Sequence, residues 1–242
     1  MRLHNFFIDQ KLGEVGLVPR SLSEVGETVV IKDSALVGQW RNVLRLQIGA
    51  RVVLLDNSGF EFVSMITDFQ NGEATVQILE KIENQNIPEN EIYLFPSLIK
   101  KDNLEWVIEK GTELGVSFFQ PIITERSEKK SFNLARAKKI IKEASEQSGR
   151  GIMPGIGELQ KMEDAFSNYE MTWIAFHPDG EEFHKELFDH VKRVGILIGP
   201  EGGFSDPELE FFRKSKIKIF SMGKQTLRAE TASIIAAAMF LF

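Results

Sequence analysis

Two glycine-containing loops late in the chain hold the residue types best suited to chemistry. Residues 199–203 read GPEGG and carry one carboxylate, Glu201, while a second loop ends in Leu227-Arg228 and supplies a guanidinium. Glycines let main-chain N–H and C=O groups approach a ligand closely. The chain has neither the GxGxxG fingerprint of dinucleotide sites nor the GK[ST] ending of a P-loop. The first loop therefore suits a ligand with hydrogen-bonding edges and a positive charge, although a glycine-rich turn without function would have the same composition.

The elements around these loops would place both at one edge of a sheet. Residues 194–198 are apolar and β-branched, as in a buried strand, and lead into the first loop. Ser205 then begins a helix, with Glu208 three residues later as its capping-box partner. A second strand, residues 217–221, leads into the second loop, and an apolar helix follows Arg228. In α/β sheets, ligands bind beyond the carboxyl ends of such strands.

The rest of the chain divides into a β-rich part and an alternating part. One helix is predicted over residues 34–46, among strands at 27–31, 51–56, 60–66 and 74–82 that are separated by Asp-Asn-Ser-Gly and Asn-Gly turns. This pattern predicts a small barrel. Residues 83–91 are polar, with little to bury, and are predicted to be a linker. From residue 92 strands and helices alternate, which predicts a mainly parallel sheet covered by helices on both faces.

The composition excludes several classes of function. The 242 residues include no cysteine, so disulfides, thiolate metal sites and thiol nucleophiles are excluded. No two of the four histidines are spaced i, i+4, and no metal site is expected. The net charge of −6 argues against a generic nucleic-acid binder, but residues 96–150 hold 11 Lys and Arg against 8 Asp and Glu. The start does not resemble a signal peptide and the eleven apolar residues at 232–242 are too short for a membrane span, so a soluble cytoplasmic protein is expected.

Basic and aromatic residues near the start are candidate RNA contacts. Arg2, His4 and Phe6 form a cluster of the kind that meets phosphates and stacks on bases. At least one of Phe6 and the adjacent phenylalanine is instead expected to face the core. Arg41 and Arg45 lie four residues apart on the predicted helix, and hence on one face, where they could contact an RNA backbone.

Five motifs occur together in an order that is far more specific than any one of them. They are KGTELGV at 110–116, TERS at 124–127, EQSGR at 146–150, GPEGGFS at 199–205 and LRAETA at 227–232. In these motifs, and over nearly its whole length, the chain resembles the ribosomal RNA small subunit methyltransferase E family, which consists of uracil-N3 methyltransferases of the SPOUT superfamily.

The resemblance implies a fold, a cofactor and a target. It implies a PUA-like RNA-binding β-barrel domain at residues 1–72 and an α/β SPOUT methyltransferase domain at residues 73–242, with a mainly parallel sheet and a C-terminal trefoil knot. It implies S-adenosylmethionine as cofactor and, as target, N3 of one uridine in the decoding region of 16S rRNA within the small ribosomal subunit. A homodimer is implied as the working unit.

The resemblance also implies roles for individual residues. Arg228 would be the main catalytic side chain, and Glu201 would either take the N3 proton or lie near the sulfonium. Glu230 is expected to pair with Arg228 or to cap the last helix, and Gln225 stands where the family commonly has arginine. Further RNA contacts would be Lys100, Arg126, Gln147 and Arg150. The residues expected to line the cofactor pocket are Phe176, His177, Ile198, Gly199, Pro200, Glu201, Gly202, Gly203, Met222, Gly223, Thr226, Leu227 and Arg228.

Two other functions remain open at the level of sequence. One is an RNA-binding ribosome-assembly factor without efficient catalysis, against which the intact GPEGG loop argues. The other is a related methyltransferase that acts on transfer RNA, which only competition between purified RNAs would distinguish.

Overall fold

The structure is a computed structural model that describes residues 3–12, 26–127 and 131–242. Within these residues the chain forms two units. The first extends to Ile87 and includes Ser145–Ile152, while the second comprises Pro88–Ala144 and Met153–Phe242. The boundary predicted between residues 72 and 73 differs from this division, because the strand after residue 72 pairs within the sheet of the first unit. The functions assigned to the two domains stay predictions.

The first unit is built on a five-stranded sheet with one short helix. Its elements are β1 (Asn5–Phe7), β2 (Thr28–Ile31), α1 (Ser34–Gly38), β3 (Arg51–Leu55), β4 (Phe60–Gln70) and β5 (Glu73–Glu83). The strand order is β1-β3-β4-β5-β2, with β1 parallel to β3 and the other pairs antiparallel. Both residues of the Asn71-Gly72 turn have positive φ, 49° and 81°, as a two-residue hairpin turn requires. The structure thus confirms a β-rich N-terminal module.

The helix of the first unit is shorter than its apolar spacing predicts. The Asp33 carboxylate caps α1 by accepting two main-chain N–H groups, and a π-helical turn, Gln39–Val43, continues it. Arg45 has a φ of +53° and lies beyond this turn. The prediction that Arg41 and Arg45 share one helix face is therefore wrong.

The second unit is an α/β domain with a six-stranded sheet in which every pair is parallel. Its elements are β6 (Glu91–Pro96), α2 (Lys101–Leu114), β7 (Phe118–Phe119), β8 (Ile122–Ile123), α3 (Leu134–Ser148), β9 (Gly155–Ile156), β10 (Gln160–Lys161), α4 (Met162–Asn168), β11 (Thr172–Glu182), β12 (Arg193–Ile198), α5 (Asp206–Lys214), β13 (Lys218–Ser221) and α6 (Ala229–Leu241). The strand order is β13-β11-β12-β6-β7-β9, and β8 pairs separately with β10. The predicted parallel sheet is confirmed, while the knot stays a prediction.

Two strands of this sheet end, and a third is interrupted, at nearly the same level. Phe176 of β11 lies opposite both Ile198, the last residue of β12, and Phe220 of β13. The chain segments that follow these residues therefore leave the sheet side by side at its carboxyl edge. Within the described residues, no helix is long and apolar enough to cross a membrane.

Candidate functional site

A cavity of about 460 Å³ lies in the second unit where β12 and β13 end and β11 is interrupted after Phe176. Its volume falls in the range of small-molecule sites, about 300–1,000 Å³. All thirteen residues that the sequence places in a cofactor pocket line this cavity. Six further residues also line it, namely Pro178, Phe204, Ser221, Gln225, Ala229 and Ala232. The lining is provided by three segments that are far apart in sequence and meet only in the fold.

The segment between β12 and α5, residues 199–205, is called here the pocket loop. Gly203 has a φ of +67°, and its N–H donates to the Pro200 carbonyl over 2.9 Å. A Cβ at Gly199 would lie 3.2 Å from the main-chain nitrogen of Phe204. The left-handed φ favours glycine at 203, and a side chain at 199 would crowd the main chain of the loop.

The pocket loop ends in the capping box that the sequence predicts. The Ser205 hydroxyl accepts the N–H of Glu208 over 3.4 Å, and the Glu208 carboxylate accepts the N–H of Ser205 over 2.7 Å. Both residues are buried. The start of α5 is thereby fixed directly behind the loop.

The wall opposite the pocket loop comes from an interruption in β11. Phe176 and Glu181 both lie opposite Phe220, so the four residues between them bulge out of the sheet. Within this bulge the N–H of Asp179 donates to Nδ1 of His177 over 3.2 Å. A Cβ at Gly180 would lie 2.4 Å from the carbonyl carbon of Phe220, so only glycine fits there. The bulge places His177 in the cavity wall.

The two predicted catalytic side chains are exposed and available to a ligand. Arg228 is the N-cap residue of α6, and Glu201 lies in the pocket loop. Within the described part of the chain neither side chain has a hydrogen-bond or ion-pair partner. Glu230 neither pairs with Arg228 nor caps α6, and its Oε2 atom is buried without a hydrogen-bond partner there. Both structural roles expected for Glu230 are therefore wrong.

Two predicted RNA contacts of the first unit are buried, so their assignment is corrected. Phe6 is 3% exposed and packs against Trp40, with ring centroids 5.3 Å apart. Arg150 is 6% exposed, and its Nε donates to the Ile152 carbonyl over 3.1 Å. Burial lowers the pKa of Arg150 to about 10, which still leaves it charged at neutral pH. Neither residue can reach a nucleic acid in this conformation.

The remaining RNA candidates divide by what they touch. Four are exposed in the first unit, His4, Arg41, Arg45 and Gln147, and Lys100 is exposed in the second. Arg2 lies outside the described residues. Arg126 is exposed as well, but its Nη1 donates to the carbonyls of Gly202 and Phe204 in the pocket loop.

The EQSGR motif has a structural role that sequence reasoning missed. Residues 145–152 belong to the first unit, where Glu146 Oε1 accepts the N–H of Phe7 over 2.8 Å. Asn84 is buried in the predicted linker, and its side-chain amide donates to the Gly149 carbonyl over 2.9 Å. Asn86 donates to the same carbonyl over 3.1 Å. Residues 83–91 are mostly exposed, as predicted, and Asn84 is the exception because its buried amide bonds to this motif.

Within the described residues no group of three or more His, Asp or Glu side chains could hold a metal ion. Of the residues missed in the pocket, Ala229 and Ala232 follow Arg228 in the first turn of α6, so their helical spacing was a usable signal. Pro178 could be found only from the bulge in β11.

Comparison with known proteins identifies the domain and then the family. Residues 86–241 match the RNA methyltransferase domain family, and residues 41–79 match the RNA methyltransferase PUA domain family. Ribosomal RNA small subunit methyltransferase E 2 of Borreliella burgdorferi is 32% identical over 227 residues, covering 89% of this chain and 91% of that protein.

Two solved structures agree with this match over almost the whole chain. The crystal structure of a ribosomal RNA small subunit methyltransferase E from Neisseria gonorrhoeae bound to S-adenosyl methionine has a TM-score of 0.84 and 26% identity, covering 98% of this chain and 96% of that one. A methyltransferase from Legionella pneumophila with bound cofactor SAM has a TM-score of 0.82 and 26% identity, covering 99% and 97%.

Fold, pocket and matches together define an RNA methyltransferase with a PUA domain. The chain belongs to the ribosomal RNA small subunit methyltransferase E family. The predicted family, fold class and class of enzyme are thereby confirmed.

Proposed function

We propose that this chain transfers the methyl group of S-adenosylmethionine to N3 of one uridine in the decoding region of small-subunit ribosomal RNA. The observation that carries the proposal is the convergence of three chain segments on one cavity at the sheet edge, in a member of this family. The assembled small ribosomal subunit in the cytoplasm is the proposed substrate and setting.

The cavity fits the proposed cofactor. The main chain of the pocket loop offers hydrogen-bonding groups, and a Cβ at Gly203 or Gly223 would meet nothing within 4 Å, so both glycines face open space. Phe176, Ile198 and Leu227 give the cavity an apolar wall. We assign all thirteen expected residues to cofactor binding. Bound there, S-adenosylmethionine supplies an electrophilic methyl group carried on a sulfonium.

Arg228 and Glu201 are the proposed catalytic residues. A guanidinium keeps its proton at any physiological pH, so Arg228 cannot act as a base. It instead stabilises negative charge that grows on a uracil carbonyl as N3 loses its proton. Glu201 has two proposed roles, accepting that proton or lying beside the sulfonium, and the pH dependence of Glu201→Gln separates them. If Glu201 accepts the proton, Glu201→Gln should abolish the acidic limb of the pH–rate profile. If Glu201 lies beside the sulfonium, the same change should weaken binding of S-adenosylmethionine.

RNA binding is assigned to exposed polar and basic residues of each unit. In the first unit these are His4, Arg41, Arg45 and Gln147, together with Arg2 outside the described residues, and in the second unit Lys100. Phosphate contacts made by such residues release counterions, so the affinity for RNA is expected to fall as salt rises.

A homodimer is the proposed working unit, with α6 at the contact. Apart from Glu230, Thr231 and Ser233 near its start this helix is apolar, and Ile235 on it and Phe242 at its end are 36% and 81% exposed. An exposed apolar surface of this kind marks association sites. Light scattering on the wild type and on Ile235→Glu tests the assignment, since the charge should yield a monomer.

Radiolabelled methyl transfer tests the proposed reaction. Small ribosomal subunits that lack the modification are compared with free ribosomal RNA and with transfer RNA, and the product is located by a reverse-transcription stop. Arg228→Ala is expected to lower the rate about 100-fold or more, as for other groups that stabilise transition-state charge. Lys224→Ala is the matched control, because Lys224 is an exposed cation of the same loop that does not line the cavity.

Each outcome of this assay has a defined meaning. Label at one uridine of the subunit, lost in Arg228→Ala and kept in Lys224→Ala, supports the proposal. Label in transfer RNA alone would show that transfer RNA, and not the small ribosomal subunit, is the substrate. A folded protein that labels none of these RNAs would instead be a binding factor in ribosome assembly.

A further inference from the structure

Arg126 is bonded to the pocket loop through a single nitrogen. Its Nη1 donates to the carbonyl of Gly202 over 2.8 Å and to that of Phe204 over 3.2 Å. The side chain also packs on the loop, since a Cβ at Gly202 would lie 3.4 Å from Arg126 Cδ. Two of the five N–H groups of this exposed guanidinium are thus used on carbonyls of the protein, which orients the side chain along the loop.

The turn that carries Arg126, residues 124–127, is locked by its own hydrogen bonds. The Ser127 N–H donates to the Thr124 carbonyl over 3.1 Å, and the Ser127 hydroxyl accepts the N–H of Thr124 over 3.2 Å. The two hydroxyl oxygens lie 2.9 Å apart, and both side chains are buried. The base of the Arg126 side chain is therefore held in place.

A buried carboxylate fastens this turn to the end of the pocket loop. Glu208 is 6% exposed, and its Oε1 accepts the N–H of Glu125 over 2.8 Å while its Oε2 accepts the N–H of Ser205 over 2.7 Å. The same carboxylate therefore closes the capping box and anchors the residue next to Arg126.

These bonds hold two peptide planes of the pocket loop from both sides. In the plane that joins residues 202 and 203, the carbonyl accepts from Arg126 and the N–H donates to Pro200. In the plane that joins residues 204 and 205, the carbonyl accepts from Arg126 and the N–H donates to Glu208. Because a peptide unit is planar, fixing its oxygen and its nitrogen fixes its orientation. Of the last three peptide planes of the loop, the one between Gly203 and Phe204 is not held by these bonds.

We propose that Arg126 is a positioning residue that holds the pocket loop in the conformation that receives the methyl donor, and that it is not an RNA contact. This inference rests on the proposed function for the identity of the ligand. The geometry of the loop, however, can be tested without any ligand.

The test compares Arg126→Ala and Arg126→Lys with Arg193→Ala. Arg193 is an exposed arginine at the opposite end of β12, where it pairs with Glu91 over 2.7 Å, so its removal changes the net charge equally. Lysine keeps the charge but not the planar donor group, and it should restore part of the effect. The measurements are hydrogen exchange of the Gly203 and Ser205 amides without ligand, affinity for S-adenosylmethionine, and affinity for the small ribosomal subunit at fixed salt.

We expect Arg126→Ala to speed exchange of both amides and to weaken S-adenosylmethionine binding about tenfold, the size of one hydrogen bond to a charged donor. Affinity for the ribosomal subunit should be unchanged, and Arg193→Ala should alter none of the three. A loss of subunit affinity with unaltered exchange would overturn the inference, as would three unaltered measurements. If the wild type failed to bind S-adenosylmethionine, the proposed function would fall while the exchange rates still decided the role of Arg126.

Discussion

Replacing Glu208 by alanine should destabilise the second unit more than any exposed charge change in its helices. The carboxylate accepts two main-chain N–H groups, and its removal leaves the N–H of Ser205 buried and that of Glu125 partly buried without a partner. Each such donor costs about 1–3 kcal/mol. The sum is about 2–6 kcal/mol, which corresponds to a fall of roughly 4–24 °C in the unfolding midpoint of a unit of this size.

Thermal and urea unfolding of three variants checks this value. Glu208→Gln keeps one acceptor oxygen and is expected to fall about halfway between the wild type and Glu208→Ala. Glu210→Ala is the matched control on the same helix, because its carboxylate is exposed and makes only surface ion pairs with Arg213 and Lys214 at 3.8 and 3.5 Å. Such pairs contribute about 0–1 kcal/mol. If Glu208→Ala lowered the midpoint no more than Glu210→Ala, the argument that Glu208 anchors the pocket loop would be refuted.

Two further predictions concern the pocket loop and the sheet. Gly203→Ala should destabilise the protein by about 1–2 kcal/mol because of its left-handed φ of +67°, whereas Gly202→Ala, which has no positive φ, should leave urea stability nearly unchanged and so serves as its control. Tyr169 donates to Gln120 Oε1 over 3.1 Å, and burial, followed by the charge of Tyr93, raises the pKa of Tyr169. The folded protein then keeps a proton that the unfolded chain releases, so this stabilisation is complete below the ordinary tyrosine pKa of 10.0 and is lost as pH rises beyond it. Tyr169→Phe should therefore cost about 1 kcal/mol near pH 8 and progressively less above pH 10, and a pH-independent difference in urea unfolding would contradict this.

Signals that act within a few residues were read correctly from the sequence. The capping box of Ser205 and Glu208 and the Asn71-Gly72 turn depend on local hydrogen bonds and on φ preferences, and both occur as predicted. The convergence of the pocket segments also followed, because parallel strands that alternate with helices must end at one edge.

What the sequence did not reveal depends on contacts between distant segments. Arg126 and Arg150 are of a residue type that often contacts RNA, but here they donate to main-chain carbonyls. Every residue has such a carbonyl, so the sequence does not indicate which one an arginine will bind. The bulge in β11 is set by its register against Phe220, and strand propensity does not indicate how two strands are paired. Arg45 leaves the helix because the turn before it is π-helical, although the apolar spacing continues.

The placement of residues 145–152 in the first unit has a consequence for the order of events during translation. The hydrogen bond from the Phe7 N–H to Glu146 spans 139 positions, so the N-terminal unit cannot be complete until this late segment has been synthesised. At about 5–20 residues per second, the roughly 65 residues between Ile87 and Ile152 take about 3–13 s to make. The part of the protein that emerges first from the ribosome therefore finishes folding late. A fragment cut after residue 87 would lack residues 145–152, which belong to its own fold.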